Sequence, residues 1–219
     1  DFRAMGYTAE ALANYMTLLG WSPPEGMGER FTLAEAAAVF DFERVNRAGA
    51  RFDWDKLNWL NGQVLHGLDP EALRLQLLPL WQERGWAASG PTAEADWQRD
   101  LSALLGPSLT LLADGVAQAE PFFTVPTPDE GALQQLASPG ARDGLAALLE
   151  RLPADGEPLS ADQAQALLGE ALAAAAIKKG VLMKSLRAAL LGSLQGPDLL
   201  TTWLLLHRCG SDRPRLEAA

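Results

Sequence analysis

Two stretches of the chain decide its fold: GYTAEALANYMTLLGWSP at Gly6–Pro23 and FDWDKLNWLNG at Phe52–Gly62. In both, apolar residues recur every three or four positions, which is the spacing of one face of an amphipathic helix. Thr8 and Asp53 stand where N-caps would begin these helices, and Gly20 stands where the first would end. The apolar positions are Leu12, Tyr15, Met16 and Leu19 in the first helix and Trp54, Leu57, Leu60 and Val64 in the helix that Asp53 would cap. The internal asparagines and the two tryptophans go beyond what helix formation requires.

The same helical period continues through nearly the whole chain. Further helix starts are predicted at a capping box Thr32–Glu35, at Asp69-Pro70, at Thr92 and at a second capping box Ser160–Gln163. The helices are expected to cover about 8–19, 33–40, 54–64, 70–85, 92–105, 107–119, two segments within 129–152, 160–178, 182–191 and 199–209. An extended connector is expected at 121–128 and a linker at 152–158. Since no strand pattern is found, the sequence predicts an all-α array of consecutive helical subdomains.

Composition excludes several classes of protein. The chain has one cysteine, Cys209, and two histidines, His66 and His207, so neither a disulfide framework nor a structural zinc site is expected. No apolar run of about eighteen residues occurs, and no signal peptide precedes the first helix, so a membrane span is not expected. These features favour a reducing, cytoplasmic setting. Because the chain opens at Asp1 without an initiator methionine, we expect it to be part of a longer protein.

Charge is distributed unevenly along the chain. The overall net charge is −10, but residues 1–87 carry −4, residues 88–177 carry −10 and residues 178–219 carry +4. A compact, basic, helical end is where a phosphate-contacting surface would be sought. The alternative is an ordinary solvated helix face. Composition leaves both open.

No complete catalytic motif is present. The chain lacks a phosphate-binding glycine loop, a dinucleotide-binding turn and a Ser/His/Asp set. Asp53, Asp55 and Lys56 could form an acid–base cluster, but the better interpretation is that Asp53 caps a helix and Lys56 faces solvent or a carboxylate. On its own residues the chain is not a complete enzyme, and no catalytic residue is assigned to it.

Tryptophans and asparagines near the amino-terminal end allow two interpretations. Trp21, Trp54 and Trp59 could stack on nucleic-acid bases, but tryptophans in folded chains are mostly buried, so they are expected to build a core. Asn58 and Asn61 lie within a helix, where asparagine is not favoured. They are expected to hold neighbouring backbone or an RNA backbone rather than a metal ion.

The basic end reads IKKGVLMKSLRAALLGSLQGPDL over 177–199. Lys184 and Arg187 are three residues apart and therefore share a helix face. Arginine can clamp a phosphate or a base edge with a planar fork. Gly196-Pro197 sets a turn whose backbone could approach an unstacked base, and proteins read RNA mainly at such single-stranded loops.

Together these stretches resemble bacterial glutamyl-tRNA synthetases, which are class I enzymes. The Gly6–Pro23 and Phe52–Gly62 stretches resemble the stem-contact domain that follows the catalytic core, and LMKSLRAALLGSLQGPDL resembles the distal anticodon-binding subdomain. The resemblance implies a stem-contact helical domain over 1–87, a first anticodon-binding subdomain over 88–155 and a distal one over 156–219. It also implies a catalytic Rossmann-type domain upstream.

The resemblance implies a function in translation as well. The full enzyme would attach glutamate to tRNA(Glu) using ATP and magnesium, whereas this part would bind the tRNA and hold no cofactor or metal itself. Its expected partner is tRNA rather than DNA or a membrane, and it is expected to be monomeric.

Individual site residues follow from the same resemblance. Arg187, Gly196, Pro197 and Leu199 match the family's anticodon-contacting residues, and the family can have a hydroxyl residue in place of Gly196. Ser185 replaces the usual proline before Leu-Arg. The cations Lys178, Lys179 and Lys184 are candidates for contacts with the tRNA backbone.

Some family members use an arginine of the first anticodon-binding bundle to select the third anticodon base. The matching stretch here, LLGPSL at Leu104–Leu109, has no basic residue. This leads to the hypothesis that the enzyme also glutamylates tRNA(Gln). Two alternatives are a stand-alone helical adaptor that binds protein partners and derives from a synthetase, and a scaffold without RNA contact.

Overall fold

A computed structural model describes residues 1–46, 49–154 and 157–219. Within these residues the chain forms twelve α-helices and no strand, which confirms the all-α prediction. An isolated antiparallel bridge joins Trp21 to Val45. The helices are α1 (Ala9–Gly20), α2 (Leu33–Ala38), α3 (Trp54–His66), α4 (Pro70–Glu83), α5 (Ala95–Leu105), α6 (Leu112–Phe123), α7 (Glu130–Leu136), α8 (Ala141–Leu149), α9 (Ala161–Ala175), α10 (Lys179–Leu191), α11 (Leu199–Arg208) and α12 (Asp212–Glu217).

Most helices begin where the sequence places a cap. The Thr8 hydroxyl accepts the Ala11 N–H at 3.2 Å, and Asp53 Oδ1 accepts the Lys56 N–H at 3.1 Å. Both predicted capping boxes form: the Thr32 and Ser160 hydroxyls accept the N–H of the third helical residue, whose side chain accepts the cap residue's N–H. These bonds satisfy N–H groups that the first helical turn would leave unpaired.

The region around Pro121 differs from the prediction. The expected extended connector at 121–128 is shorter, because α6 continues through Pro121 to Phe123. Phe122 is buried, and Phe123 stacks on Trp86 with ring centroids 5.2 Å apart. Burial of the Phe122 ring and stacking of the half-buried Phe123 ring stabilise the last helical turn and offset the backbone hydrogen bond that proline cannot donate.

One large core runs through most of the molecule. It extends from Leu65 at the end of α3 to Leu216 in α12, and it includes the fully buried Trp81, Trp97 and Trp203. Trp97 Nε1 donates to the Leu205 carbonyl at 3.0 Å, which ties α5 to α11 across 108 positions of sequence. This hydrogen bond holds together two walls of a groove that is described below.

Two smaller cores hold the amino-terminal part together. Tyr7, Tyr15, Leu57 and Leu60 pack between α1 and α3, and Trp21 packs with Phe31 and Ala36 beside α2. The prediction that the three amino-terminal tryptophans are core residues is confirmed for Trp21. It is wrong for Trp54 and Trp59, which are 48% and 47% exposed, because leucines, a valine and an asparagine occupy the buried face of α3.

Among the domain boundaries implied by the resemblance, the first, at 87/88, lies in the turn between α4 and α5, two helices that pack against each other. The second, at 155/156, lies outside the described residues.

Candidate nucleic-acid interface

The basic carboxy-terminal segment forms a helical hairpin of α10, a turn and α11. Gly192 ends α10 in the left-handed conformation, at φ +66°, and its N–H donates to the Ala188 carbonyl at 2.9 Å. A Cβ atom at this position would lie 3.0 Å from the Thr127 carbonyl oxygen. The chain therefore needs glycine here to turn closely against the segment that precedes α7.

Arg187 and the turn are built around each other. Arg187 Nη1 donates to the Pro197 carbonyl at 2.7 Å. Gly196 adopts φ +142°, and a Cβ atom there would lie 2.7 Å from Leu191 Cδ1 and 3.4 Å from Arg187 Nη1. A larger residue at position 196 would be strained and would press on the guanidinium group.

The four residues matched to anticodon contacts are not equally accessible. Gly196 is exposed, Arg187 and Pro197 are half-buried, and all three lie together at the turn. Leu199 is only 6% exposed and belongs to the large core. Its side chain therefore supports the turn from inside and offers little surface to a ligand.

The three lysines lie along α10 with exposed side chains. Lys178 is the N-cap residue, Lys179 is the first helical residue, and Lys184 follows one turn before Arg187. Lys178 makes no side-chain cap hydrogen bond, and the first turn of α10 contains no acidic residue. Cations at a helix N-terminus oppose the helix dipole, so this arrangement does not serve helix stability.

Asp198 caps the second helix of the hairpin. Its Oδ1 atom accepts the Thr201 N–H at 2.8 Å and the Thr201 hydroxyl at 2.7 Å. These two bonds, with a smaller contribution from the nearby charge of Arg187, hold the pKa of Asp198 below its usual range. Asp198 is therefore ionised at neutral pH and adds a negative charge beside the turn.

A groove of about 840 Å³ opens next to this turn. We name it the α5–α11 groove. One wall is the end of α5 with the short 3₁₀ turn that follows it, and the other walls are the start of α9, the Pro197–Asp198 turn and α11. Its lining residues are Asp100, Ala103, Leu104, Pro107, Ser108, Leu159, Ser160, Ala161, Pro197, Asp198, Thr201, Leu204, Leu205 and Arg208.

This groove brings together two stretches that are about ninety residues apart. Leu104, Pro107 and Ser108 of the LLGPSL stretch face the turn that contains Pro197. Leu109, the last residue of that stretch, is fully buried. The two stretches that the sequence singles out for anticodon recognition thus border one site.

Sequence reasoning missed the charged residues of this groove. Arg208, the last residue of α11, donates from Nη1 to Asp100 Oδ2 on α5 at 2.6 Å. Arg99 flanks this pair, 2.9 Å from Asp96 and 4.0 Å from Asp100. The spacing of Thr201, Leu204 and Arg208 along α11 was the available signal, because it places all three on one helix face.

The amino-terminal asparagines hold the protein itself. Asn61 is fully buried: its Nδ2 atom donates to the Thr110 carbonyl at 2.6 Å, and its Oδ1 atom accepts the Thr8 N–H at 2.8 Å. Asn58 Oδ1 accepts the Tyr7 hydroxyl at 2.5 Å. The expected role in holding backbone is confirmed for Asn61, and its burial excludes contact with RNA.

The other polar candidates also serve the fold. His66 Nε2 lies 2.9 Å from the Leu109 carbonyl oxygen, and His207 Nδ1 lies 2.9 Å from Asp212 Oδ2. Cys209 packs against the large core, and burial raises the pKa of its thiol to about 11. The thiol is therefore protonated and unreactive at neutral pH.

Two further features of the described ranges concern metal ions and membranes. In residues 1–46, 49–154 and 157–219, three or more histidine, cysteine, aspartate or glutamate side chains nowhere converge to hold a metal ion. Over the same ranges, the helices are too short or too polar to cross a bilayer.

The chain matches proteins of known family. Residues 72–219 match the family model described as anticodon binding domain. The chain is 66% identical over its full length to a glutamate–tRNA ligase of Synechococcus sp. strain RCC307 and 62% identical over 217 residues to one of Prochlorococcus marinus strain MIT 9303. It spans about 45% of the length of each.

Solved structures give the same result. A glutamate tRNA ligase from Elizabethkingia meningosepticum in complex with its amino acid superposes with a TM-score of 0.86 at 26% identity, covering 99% of this chain and 42% of that one. The glutamate–tRNA synthetase of Elizabethkingia anophelis superposes with a TM-score of 0.79 at 25% identity, covering 99% and 41% of the two chains. These matches confirm the resemblance seen in the sequence and give no support to the adaptor alternative.

Proposed function

The chain belongs to the anticodon binding domain family, and from this premise we propose that it is the part of a glutamate–tRNA ligase that holds the tRNA. The observation that supports this most strongly is the site at the α10–α11 hairpin. There an arginine fork, a glycine turn and a largely apolar groove adjoin one another. Together they offer hydrogen-bond donors for base edges and apolar surface for base faces.

The division of labour within this site follows from exposure and charge. Arg187, Gly196 and Pro197 contact anticodon bases, and Leu199 positions the turn from the core. Lys178, Lys179 and Lys184 contact the tRNA backbone, because they are exposed and sit on the same helix as Arg187. Phosphate contacts of this kind give affinity, whereas base contacts give specificity.

The activity of the whole protein is proposed from its relatives. Because the chain spans about 45% of their length, the attachment of glutamate to tRNA(Glu), the upstream catalytic domain and the use of ATP and magnesium all concern residues outside it. The three-part division at 87/88 and 155/156 remains part of the proposal, as do the cytoplasmic location and the monomeric state.

Charging of tRNA(Gln) is a finer proposal on the same site. Within the α5–α11 groove, the LLGPSL stretch contributes only apolar side chains and Ser108. Because that wall carries no cation, discrimination between tRNA(Glu) and tRNA(Gln) at the third anticodon base is relaxed. Charging assays of the whole enzyme on purified tRNA(Glu) and tRNA(Gln) test this, and the absence of glutamyl-tRNA(Gln) would refute it.

Binding of the chain to anticodon stem-loop RNAs tests the central proposal. Wild-type chain should prefer the tRNA(Glu) loop over a loop of equal length with a scrambled anticodon, and its affinity should fall as salt rises. Arg187→Ala should weaken binding to the tRNA(Glu) loop by about 1–3 kcal/mol, the scale of one base-reading arginine.

Two control variants separate recognition of the anticodon bases from a general effect of positive charge. Arg142→Ala removes an exposed arginine from α8 and should leave the preference intact. Arg187→Lys keeps the charge but loses the fork, so it should lose most of the preference. Equal affinity of wild-type chain for both loops would overturn the proposal.

A further inference from the structure

We infer that Arg208 is a specificity-determining residue of the α5–α11 groove: it exchanges Asp100 for one base of the anticodon loop and favours cytosine or guanine there. This inference rests on the proposed function and adds to it a second base-reading arginine on α11. The LLGPSL stretch has no basic residue that could read a base. Among the described residues, the only cation that lines the groove is Arg208.

Arg208 lines the same groove as the turn that binds Arg187. Its side chain is 39% exposed and lines the groove together with Asp100, whose side chain is 44% exposed. Leu104 and Pro107 line the wall formed by the end of α5 and the 3₁₀ turn after it, and Pro197, whose carbonyl accepts a hydrogen bond from Arg187, lines the same groove. The groove is therefore continuous with the anticodon-binding turn.

Charge indicates which part of a nucleotide the groove accepts. Its lining carries two carboxylates, Asp100 and Asp198, against the single guanidinium group of Arg208. A phosphate would be repelled by this excess of negative charge. Apolar side chains make up most of the remaining walls, and they suit the flat face of a base. A volume of about 840 Å³ is within the usual range for ligand sites.

Asp100 can release Arg208 at little cost in free energy. The Arg208–Asp100 bond joins two partly exposed side chains, and ion pairs in such positions contribute little to stability. Arg99 Nη2 already lies 4.0 Å from Asp100 Oδ1 on the same helix. When Arg208 turns to the base, water solvates the Asp100 carboxylate, which is 44% exposed, and Arg99 at 4.0 Å adds only a small, screened attraction.

The fork of Arg208 determines the bases that it favours. A guanidinium group donates two parallel N–H bonds and accepts none. Guanine offers adjacent acceptors at N7 and O6, and cytosine offers them at N3 and O2, whereas adenine and uracil place a donor beside each acceptor on the corresponding edges. Arg208 therefore favours cytosine and guanine at one anticodon position and disfavours adenine and uracil.

Binding of stem-loop RNAs to Arg208→Ala and Arg99→Ala chains tests this inference. Each anticodon position of the tRNA(Glu) loop is varied in turn through all four bases, and affinities are measured by fluorescence anisotropy. Both arginines neighbour Asp100, but Arg99 does not line the groove. At one position, Arg208→Ala should weaken cytosine and guanine loops by about tenfold to a hundredfold. Adenine and uracil loops, and all loops with Arg99→Ala, should change by less than about threefold.

Three further substitutions provide independent measurements. Arg208→Lys should keep the salt dependence but lose the preference for cytosine and guanine, because the ammonium group has no fork. Asp100→Asn should strengthen binding of the favoured loops by several-fold through release of Arg208. Asp96→Asn removes the same charge one turn earlier on α5, outside the lining of the groove, and should strengthen binding less.

The outcomes are distinguishable. If wild-type chain prefers the tRNA(Glu) loop but Arg208→Ala and Arg99→Ala weaken all loops equally, the inference fails while the proposed function stands. If wild-type chain does not distinguish anticodons, both fail. A preference for cytosine and guanine that Arg208→Lys retains in full would also overturn the inference. Circular dichroism of each variant confirms that the helices are intact.

Discussion

Polar side chains have opposite tasks in the amino-terminal part of the molecule and in the α10–α11 hairpin. In the amino-terminal part they are turned inward: Asn61 links α3 to Thr8 and to Thr110, and Asn14 donates to the Glu29 carbonyl at 2.9 Å. In the hairpin, Lys178, Lys179 and Lys184 are exposed, and no ion pair involves them within the described residues. The first set maintains the fold, and the second is available to a ligand.

Tyrosines strengthen this contrast. The Tyr15 hydroxyl accepts the Asp53 N–H at 2.6 Å, and Tyr7 donates to Asn58. Each bond joins α1, or the residues before it, to α3 or the turn that leads into it. The asparagines and tyrosines of the amino-terminal stretches are thus explained by internal bonds, whereas, among the described residues, the three lysines of the hairpin are not.

The largest effect is expected from Asn61→Ala. The change leaves the buried Thr8 N–H without its partner, which costs about 1–3 kcal/mol, and removes the part-buried hydrogen bond to the Thr110 carbonyl, which contributes about 1 kcal/mol. We expect the free energy of unfolding to fall by about 3 kcal/mol in urea denaturation. At temperatures where the variant remains folded, its affinity for the tRNA(Glu) stem-loop should be unchanged.

Asn58→Ala is the matched control, since Asn58 lies on the same helix, is only half-buried and accepts one hydroxyl bond. It should cost about 1 kcal/mol. The contrast between the two regions would break if Asn61→Ala reduced RNA affinity in the folded state.

A smaller effect on stability, with a larger effect on binding, is expected from Gly196→Ala. The new Cβ atom would lie 2.7 Å from Leu191 Cδ1 in a backbone conformation that alanine rarely adopts. We expect a loss of about 1–2 kcal/mol in stability. Because Arg187 lies against the same position, anticodon preference should fall with it.

Gly180→Ala provides the comparison within the same hairpin. Gly180 lies in α10, and a Cβ atom there would meet nothing within 4 Å. Helix propensity alone should make this variant more stable by about 0.5–1 kcal/mol without altering anticodon preference. Equal stability changes at both glycines would show that the backbone at Gly196 is not strained.

Sequence patterns predicted what local physics determines. The caps at Thr8, Thr32, Asp53 and Ser160 form as expected, because each depends on residues within one helical turn. The continuation of α6 through Pro121 was missed, because it depends on Phe123 stacking on Trp86, a residue 37 positions away.

The candidate site was predictable only in part for the same reason. The family resemblance supplied Arg187 and the Gly196-Pro197 turn, which are close together in sequence. It did not supply the pairing of Arg208 with Asp100, because these residues are 108 positions apart and meet only when α5 packs on α11. Exposure of Trp54 and Trp59 was likewise missed, since it depends on which face of α3 meets α1.

Among the three main substitutions, Lys178→Ser has the smallest expected effect, and it is the most direct test of the contrast because it should change stability and binding in opposite directions. Lys178 occupies the N-cap of α10 with extended backbone, φ −73° and ψ 140°, but makes no cap bond. Lys178→Ser supplies a hydroxyl that can accept an N–H of the first turn and removes a cation from the positive end of the helix dipole. We expect the free energy of unfolding to rise by about 1 kcal/mol. Affinity for stem-loops should fall alike for all anticodons, and the slope of log affinity against log salt should decrease in magnitude by about one.

Lys184→Ser, in the middle of the same helix, removes the same charge without creating a cap. It should weaken binding with no gain in stability. A Lys178→Ser chain that is more stable but binds RNA with unchanged affinity and salt slope would show that Lys178 is not a backbone contact. The helix would then begin with a lysine for a reason other than tRNA.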